Sequence, residues 1–382
     1  MRVIDVLRVS AAAAVLTVAV WAPLHAKHVQ KESQFLGSAQ DNSKELINQG
    51  RQIFRFDTYG DEVFWTGQLH IEQAVSQLTP VTALGLGLKV DSEALSPSVG
   101  EAIKQGKINL NDPAVTIALI KQNAVLGVVG TFSNNTLEKV GFTCALCHST
   151  VDDSVVPGIG KRIDGLGNRD LNVGAIVAAA PNLQPVVNLL QLAPQDAGIT
   201  VQDVRTVLNS WGPGKFDAEL FLDGKAFNPE QMTNGMITAN MVSGATLMPN
   251  ARGLSGHNLH TWTGGWGTVT YWNAFVAVNE LHGIGTFFDE WFDDAIQFPI
   301  AAAAKLGHVS VDPDSDQVTG KLAALHFYQL ALPSVQPRPE SILMRQRQRA
   351  VMNYLAEKRT AIAAIMSHSG LNRAGISTPR RK

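Results

Sequence analysis

The residues able to do chemistry in this chain are few and adjacent. Its only cysteines are Cys144 and Cys147, and His148 directly follows the second. The run Gly141-Phe142-Thr143-Cys144-Ala145-Leu146-Cys147-His148 is C-x-x-C-H, the attachment signature of a c-type haem. Positions i, i+3 and i+4 share one face of a helical turn. Two thiols placed there can add to the two haem vinyl groups, and the imidazole then lies under the iron as proximal ligand. The pair could instead be a thiol-disulfide couple, but that motif expects a βαβ setting, and no such pattern surrounds it. Zinc would need further ligands at matching spacing, and the chain offers no other cysteine.

A second axial ligand has two candidates. Met248 sits in Thr246-Leu247-Met248-Pro249-Asn250, and His260 in His257-Asn258-Leu259-His260-Thr261-Trp262. Either would complete a six-coordinate iron; the third option is an open position. Met232, Met236 and Met241 read as core filler, and His70 and His282 as structural residues within helical patterns. Gly158, Gly160, Gly165 and Gly167 punctuate a loop holding Lys161, Arg162 and Arg169. Arg162 and Arg169 are candidate donors to haem propionates; the alternative is ordinary solvated charge.

The elements that must position these residues read as mainly α, a cytochrome c-like haem domain elaborated with extra helices and long loops. Apolar spacing predicts helices over Leu46–Ile53 and Trp65–Leu78. Asp112-Pro113 should start another that runs to about Leu126, and Asn135 should cap the helix that ends in the haem motif. Further helices are expected over Asn172–Ala180, Gln184–Leu192, Val201–Trp211, Thr270–His282, Phe287–Leu306 and Thr319–Leu332. Few segments read as strands. Trp262, Trp266, Trp272 and Trp291 read as aromatic core and pocket wall.

Both ends differ from this body. Residues 1–26 read as an export signal: Arg2 and Arg8, an apolar run Val9–Trp21, and Ala26 as the small residue at the cleavage site. That run is shorter than the about 20 residues a membrane span needs, so the chain is expected in the periplasm and meets the membrane only through its signal. The formal charge of −2 gives no field that would attract nucleic acid. Residues 27–337 form the expected haem domain. Pro333-Ser334-Val335-Gln336-Pro337-Arg338-Pro339 reads as a linker, and 338–382 as a basic tail beginning near Arg345-Gln346-Arg347-Gln348-Arg349.

Several stretches resemble a bacterial group within the di-haem cytochrome c peroxidase superfamily, which includes the MauG-type and rubber-oxygenase-type enzymes. They are the haem motif, Asn168-Arg169-Asp170-Leu171-Asn172, Trp211-Gly212-Pro213-Gly214-Lys215-Phe216-Asp217-Ala218, and Arg55-Phe56-Asp57-Thr58-Tyr59-Gly60-Asp61-Glu62. Leu259-His260-Thr261-Trp262-Thr263-Gly264 and Ala324-Leu325-His326-Phe327-Tyr328-Gln329-Leu330-Ala331-Leu332-Pro333 also fit. The resemblance implies peroxidase-type oxidoreductase chemistry on two haems, one relaying electrons and one meeting peroxide or dioxygen. It also draws attention to His260, because a displaceable distal histidine is common in these enzymes. This chain departs from the pattern in having one C-x-x-C-H. The expectation is therefore one covalent haem c, electron transfer, and as partner a redox protein or a small electron donor.

The tail has two readings: a solvated basic segment, or the frameshifted remnant of a second haem domain. When each codon's third base is joined to the next codon's first two, Met352-Asn353 must give Glu and Asn353-Tyr354 must give Leu. In that frame Thr360-Ala361 permits Cys, Ala363-Ala364 permits Cys and Ala364-Ile365 permits His, again C-x-x-C-H. The slip would lie between Pro333 and Ser341. The gene's nucleotides are expected to carry both cysteine codons in this frame with no stop before the position of Lys382; a stop there leaves the basic tail as the reading.

Overall fold

The computed structural model describes residues 41–217, 222, 245–254, 259 and 267–333. Residues 1–26, His260, Met232, Met236, Met241, Trp262, Trp266 and the tail lie outside the described residues. Contacts divide the chain after Pro333, and every described residue belongs to the first unit, Met1–Pro333. No helix among the described residues is long and apolar enough to cross a membrane.

Helices begin where the sequence offers a side-chain oxygen to the free amides of a first turn. Asp112 accepts from Ala114 N–H ahead of helix Pro113–Lys121, and Thr79 accepts from Thr82 ahead of Pro80–Gly85. Asn172 accepts from Ala175 ahead of Val173–Ala178. Thr200 and Asp203 satisfy each other's backbone amides at the start of Val201–Ser210. Such caps contribute about 1 kcal/mol each. The helix over 41–56 packs on Leu322–Ala331 through Gly50, where a Cβ would collide with the Ala324 carbonyl.

The described residues are a helix-dominated mixture with five two-stranded sheets, more strand than the sequence suggested. The largest correction lies beside the haem motif. Asn135 caps no helix. With Asn134 it forms a two-residue turn, both at positive φ, joining strands Val128–Ser133 and Thr136–Phe142 in an antiparallel hairpin. Asparagine tolerates that backbone, which suits the twist of a tight hairpin. The Trp65–Leu78 helix is two pieces, Glu62–Trp65 and Ile71–Ser76, separated by left-handed His70. Helix Pro113–Lys121 stops short of Leu126 because Asn123 turns left-handed and the chain then pairs with 89–91. The span Phe287–Leu306 is not one helix: Phe287–Phe288 pairs with His308–Val309, and only Pro299–Ala304 is α-helical. Pro299 cannot donate within a helix and so begins one.

Three buried apolar clusters make up the core of the described residues. The largest gathers the hairpin with helices from Ile71 to Ser210. The second centres on Tyr59, Phe275, Phe287, Phe292 and Phe298, and the third on Phe54, Ala145, Leu325 and Tyr328. Leu146 and Cys147 pack in the first, Cys144 against the second and third, and Ala145 in the third. The five-residue helix Cys144–His148 is therefore where the three clusters meet.

Gly127 carries this junction. Its φ is +71°, and a Cβ there would collide with Leu146 backbone atoms. Gly127→Ala is expected to cost about 2–4 kcal/mol in urea unfolding. Gly100, inside helix Pro97–Lys104 with open space around it, is the contrast; Gly100→Ala should stabilise by about 0.5–1 kcal/mol. Equal effects at the two sites would contradict this packing.

Candidate haem-attachment site

The strand Thr136–Phe142 delivers the chain to the motif, and Thr143 turns it into the helix. Thr143 Oγ1 accepts from Ala145 N–H at 3.3 Å and donates to the Arg55 carbonyl at 3.1 Å. Its N–H donates to the Gly127 carbonyl at 3.1 Å. At the other end, Asn168 N–H donates to the Cys147 carbonyl at 2.8 Å and Gly165 N–H to the His148 carbonyl at 2.7 Å. The glycine-punctuated segment thus closes the helix. It contains short strands rather than being loop throughout: Ile159–Gly160 pairs with Val90–Asp91, and Arg162–Asp164 with Ser149–Val151.

The same segment draws residues 248–251 onto the motif. Ala251 N–H donates to the Gly165 carbonyl at 2.9 Å, and Gly167 N–H to Asn250 Oδ1 at 2.9 Å. The Pro249 carbonyl then lies 3.0 Å from His148 Nδ1. A carbonyl only accepts, so Nδ1 carries the hydrogen and Nε2 keeps its lone pair. Burial holds the imidazole below its usual pKa, against the Pro249 bond, which acts the other way.

Cys144 and Cys147 are half-buried free thiols. Burial pushes Cys144 up to about 11, opposed by the Tyr59 hydroxyl, whose oxygen lies 3.9 Å from Sγ. Burial pushes Cys147 up to about 12, with a further upward push from Glu280, itself raised to about 8 by burial and by Asp217. Each thiol is flanked by apolar packing. Among the described residues no group of three or more His, Cys, Asp and Glu side chains could hold a bare metal ion. A haem iron asks less of the protein, one axial nitrogen beneath four porphyrin nitrogens. The free thiols and the oriented imidazole fit covalent haem.

The other candidates fall differently. Met248 is 3% exposed in the largest apolar cluster, and its N–H donates to the Gly214 carbonyl at 3.0 Å. Its neighbour Pro249 brings its carbonyl to His148 Nδ1. Met248 is thus held in the segment that bonds His148, through the Pro249 carbonyl. His260 is outside the described residues. Arg162 has a buried side chain whose Nε donates to Asp91 at 3.1 Å, while Nη1 has no partner among the described residues. Arg169 is exposed.

Several supporting residues were not singled out as site candidates in the sequence, although Arg55, Asp61 and Tyr328 lie in the stretches that carry the resemblance. Asp164 accepts from Ser149 Oγ at 2.8 Å, Tyr328 OH at 2.6 Å and Arg55 Nε at 2.5 Å, binding both terminal helices of the described unit to the strand after His148. Asp61 is fully buried, and its two carboxyl oxygens accept from Phe142 N–H at 3.0 and 3.3 Å. No family model matches the chain, and neither does any curated protein or solved structure.

Burial pushes Asp61 up to about 9, against the opposing Phe142 bond. Unfolded, an aspartate loses its proton near roughly pH 4. Between these values folding takes up a proton, so the contribution of Asp61 to stability falls as pH rises through that window. Asp61→Asn keeps an acceptor and cannot ionise. Its stability relative to wild type should rise from pH 5 to pH 8, by on the order of a few kcal/mol at most. A difference that stays constant with pH would show that Asp61 is ionised in the folded chain.

Proposed function

We propose that this chain is an exported, periplasmic c-type cytochrome, its described unit a cytochrome c-like domain holding one haem at Cys144, Cys147 and His148 and passing single electrons. The observation that carries this is the His148 ring. Its Nδ1 donates to a backbone carbonyl 3.0 Å away, which leaves the Nε2 lone pair for a metal. Such a bond to the far nitrogen fixes the tautomer and orientation of a metal-bound histidine and raises its basicity. The haem, when bound, supplies the one-electron chemistry. Cys144 and Cys147 anchor it on one face of a helical turn, and the three apolar clusters exclude water around the attachment. The partner is a redox protein or a small electron donor. The resemblance to the di-haem peroxidase superfamily accords with this reading, with one haem centre in place of two.

Burial counts against the thiol-disulfide alternative. Thiol exchange needs an accessible sulfur with a lowered pKa, whereas both sulfurs here are raised by burial.

His148→Ala tests the assignment. When the protein is exported with haem-attachment machinery, wild type should show a c-type visible spectrum with an imidazole-ligated iron. The variant should keep pigment through its two cysteines but lose that ligation, seen as a changed spin state. An unchanged spectrum in the variant, or a colourless wild type, would refute it.

A further inference from the structure

Among the described residues, Phe288 and Trp291 are the exposed aromatic side chains, and both lie in one short segment, 287–298. Phe288 is 61% exposed, and Ile296 in the same segment is 97% exposed. Large apolar groups gathered at a surface and rimmed by charge mark interaction sites. The segment is anchored from below by buried Phe287 and Phe292. Its turns are fixed by its own carboxylates: Asp289 accepts from Trp291 N–H at 2.9 Å, and Asp294 from Ile296 N–H at 2.9 Å. A surface held this way needs little ordering when a partner binds.

The charge around these residues has one sign. Glu290, Asp293 and Asp294 are exposed in the same segment, which holds no Lys or Arg. His308, whose ring stands edge-on to Phe288 at 5.2 Å, lies 2.9 Å from Asp293. Asp316 brings a further carboxylate to Thr286 N–H at 3.2 Å. Beneath the surface, aromatic packing runs inward. Trp291 meets Phe298 at 5.2 Å between ring centres, Phe298 meets Phe292 at 5.5 Å, and Phe292 meets Phe275 at 5.8 Å. Phe298, Phe292 and Phe275 share a buried cluster with Tyr59, and Cys144 packs against that cluster. The Tyr59 hydroxyl oxygen lies 3.9 Å from Cys144 Sγ.

We propose that this acidic, apolar-centred patch docks a basic electron-donor protein whose apolar haem edge is ringed by lysines. Phe288, Trp291 and Ile296 meet the apolar edge, and the carboxylates meet the lysines. One electron passes from the partner's ferrous iron to the ferric haem held at Cys144 and Cys147, with no bond made or broken. The inference rests on the haem reading and adds the partner's charge and the surface it uses. A second copy of this chain is the wrong occupant, because an isologous contact sets the patch against itself, carboxylate to carboxylate.

The test mixes the full haem-loaded chain with a basic mitochondrial-type cytochrome c, with the same cytochrome after acetylation of its lysines, and with lysozyme, which is basic and carries no haem. Calorimetry reads affinity at about 10 mM ionic strength, where charges act over about 30 Å. Stopped-flow absorbance reads electron transfer. Saturable binding of the basic cytochrome is expected, on the order of tenfold weaker after acetylation and likewise for lysozyme. Glu290→Lys combined with Ile296→Lys should weaken it by on the order of tenfold and slow electron transfer in step. Both side chains are exposed, so the fold tolerates the change. Val81→Lys, at an exposed position on helix Pro80–Gly85, should bind like wild type. No saturable binding, equal affinity for the acetylated cytochrome or lysozyme, or a double variant that binds like wild type would overturn the proposal. Calorimetry uses no property of this chain's own haem. A coloured chain that fails to bind therefore overturns the docking surface alone, whereas a colourless chain overturns the haem reading and with it the electron step.

Discussion

The hydrogen bond between His148 Nδ1 and the Pro249 carbonyl joins residues 101 positions apart, and much of the described unit serves to bring them together. An imidazole can bind iron through either nitrogen; engaging one commits the other. Making that bond requires the Pro249 carbonyl to reach Nδ1. This in turn requires Ala251 to pair with Gly165, Asn250 with Gly167, and Met248 with Gly214. The glycine-rich segment, which in sequence looks like a surface loop, is the frame through which the His148 ring is aimed.

The motif helix could not hold itself. Isolated helices shorter than about 12 residues are marginal in water, and Cys144–His148 has five residues. Tertiary bonds at both ends replace internal stability: Thr143 is bonded to Gly127, Ala145 and Arg55 at the start, and Cys147 and His148 accept from the 165–168 segment at the finish. Because the helix lies where three apolar clusters meet, packing against them sets its orientation. The buried Asp164 hub then ties Arg55, Ser149 and Tyr328 around it. Breaking one arm of such a hub leaves a buried charge short of partners, which is costly.

What the sequence made legible was local. C-x-x-C-H can be read because its spacing is its geometry. Asp112-Pro113 and Thr200-x-x-Asp203 can be read because a cap acts within three residues. The hairpin at Asn134-Asn135 carried a turn signal, but strand Thr136–Phe142 ends in buried Val140, Gly141 and Phe142, which blurs the alternation that marks a strand. The long helix expected over Phe287–Leu306 ignored Pro299, whose ring decides where a helix can start. Pro249 could not have been found at all, since a backbone carbonyl leaves no trace in residue type. Met248 attracted notice for its sulfur, and the segment also contributes the carbonyl oxygen of the next residue. Asp61 is a polar residue whose importance comes from burial, which the sequence does not print.

The central claim is that Cys144 and Cys147 are bound to haem rather than to each other. The intact mass of the exported protein, taken under denaturing conditions that strip any non-covalent cofactor, tests it most directly. The account expects the mass of the processed chain plus one haem, lost from a variant in which both cysteines are alanine. A chain at its bare mass, or lighter by two hydrogens from a Cys144–Cys147 disulfide, would contradict it.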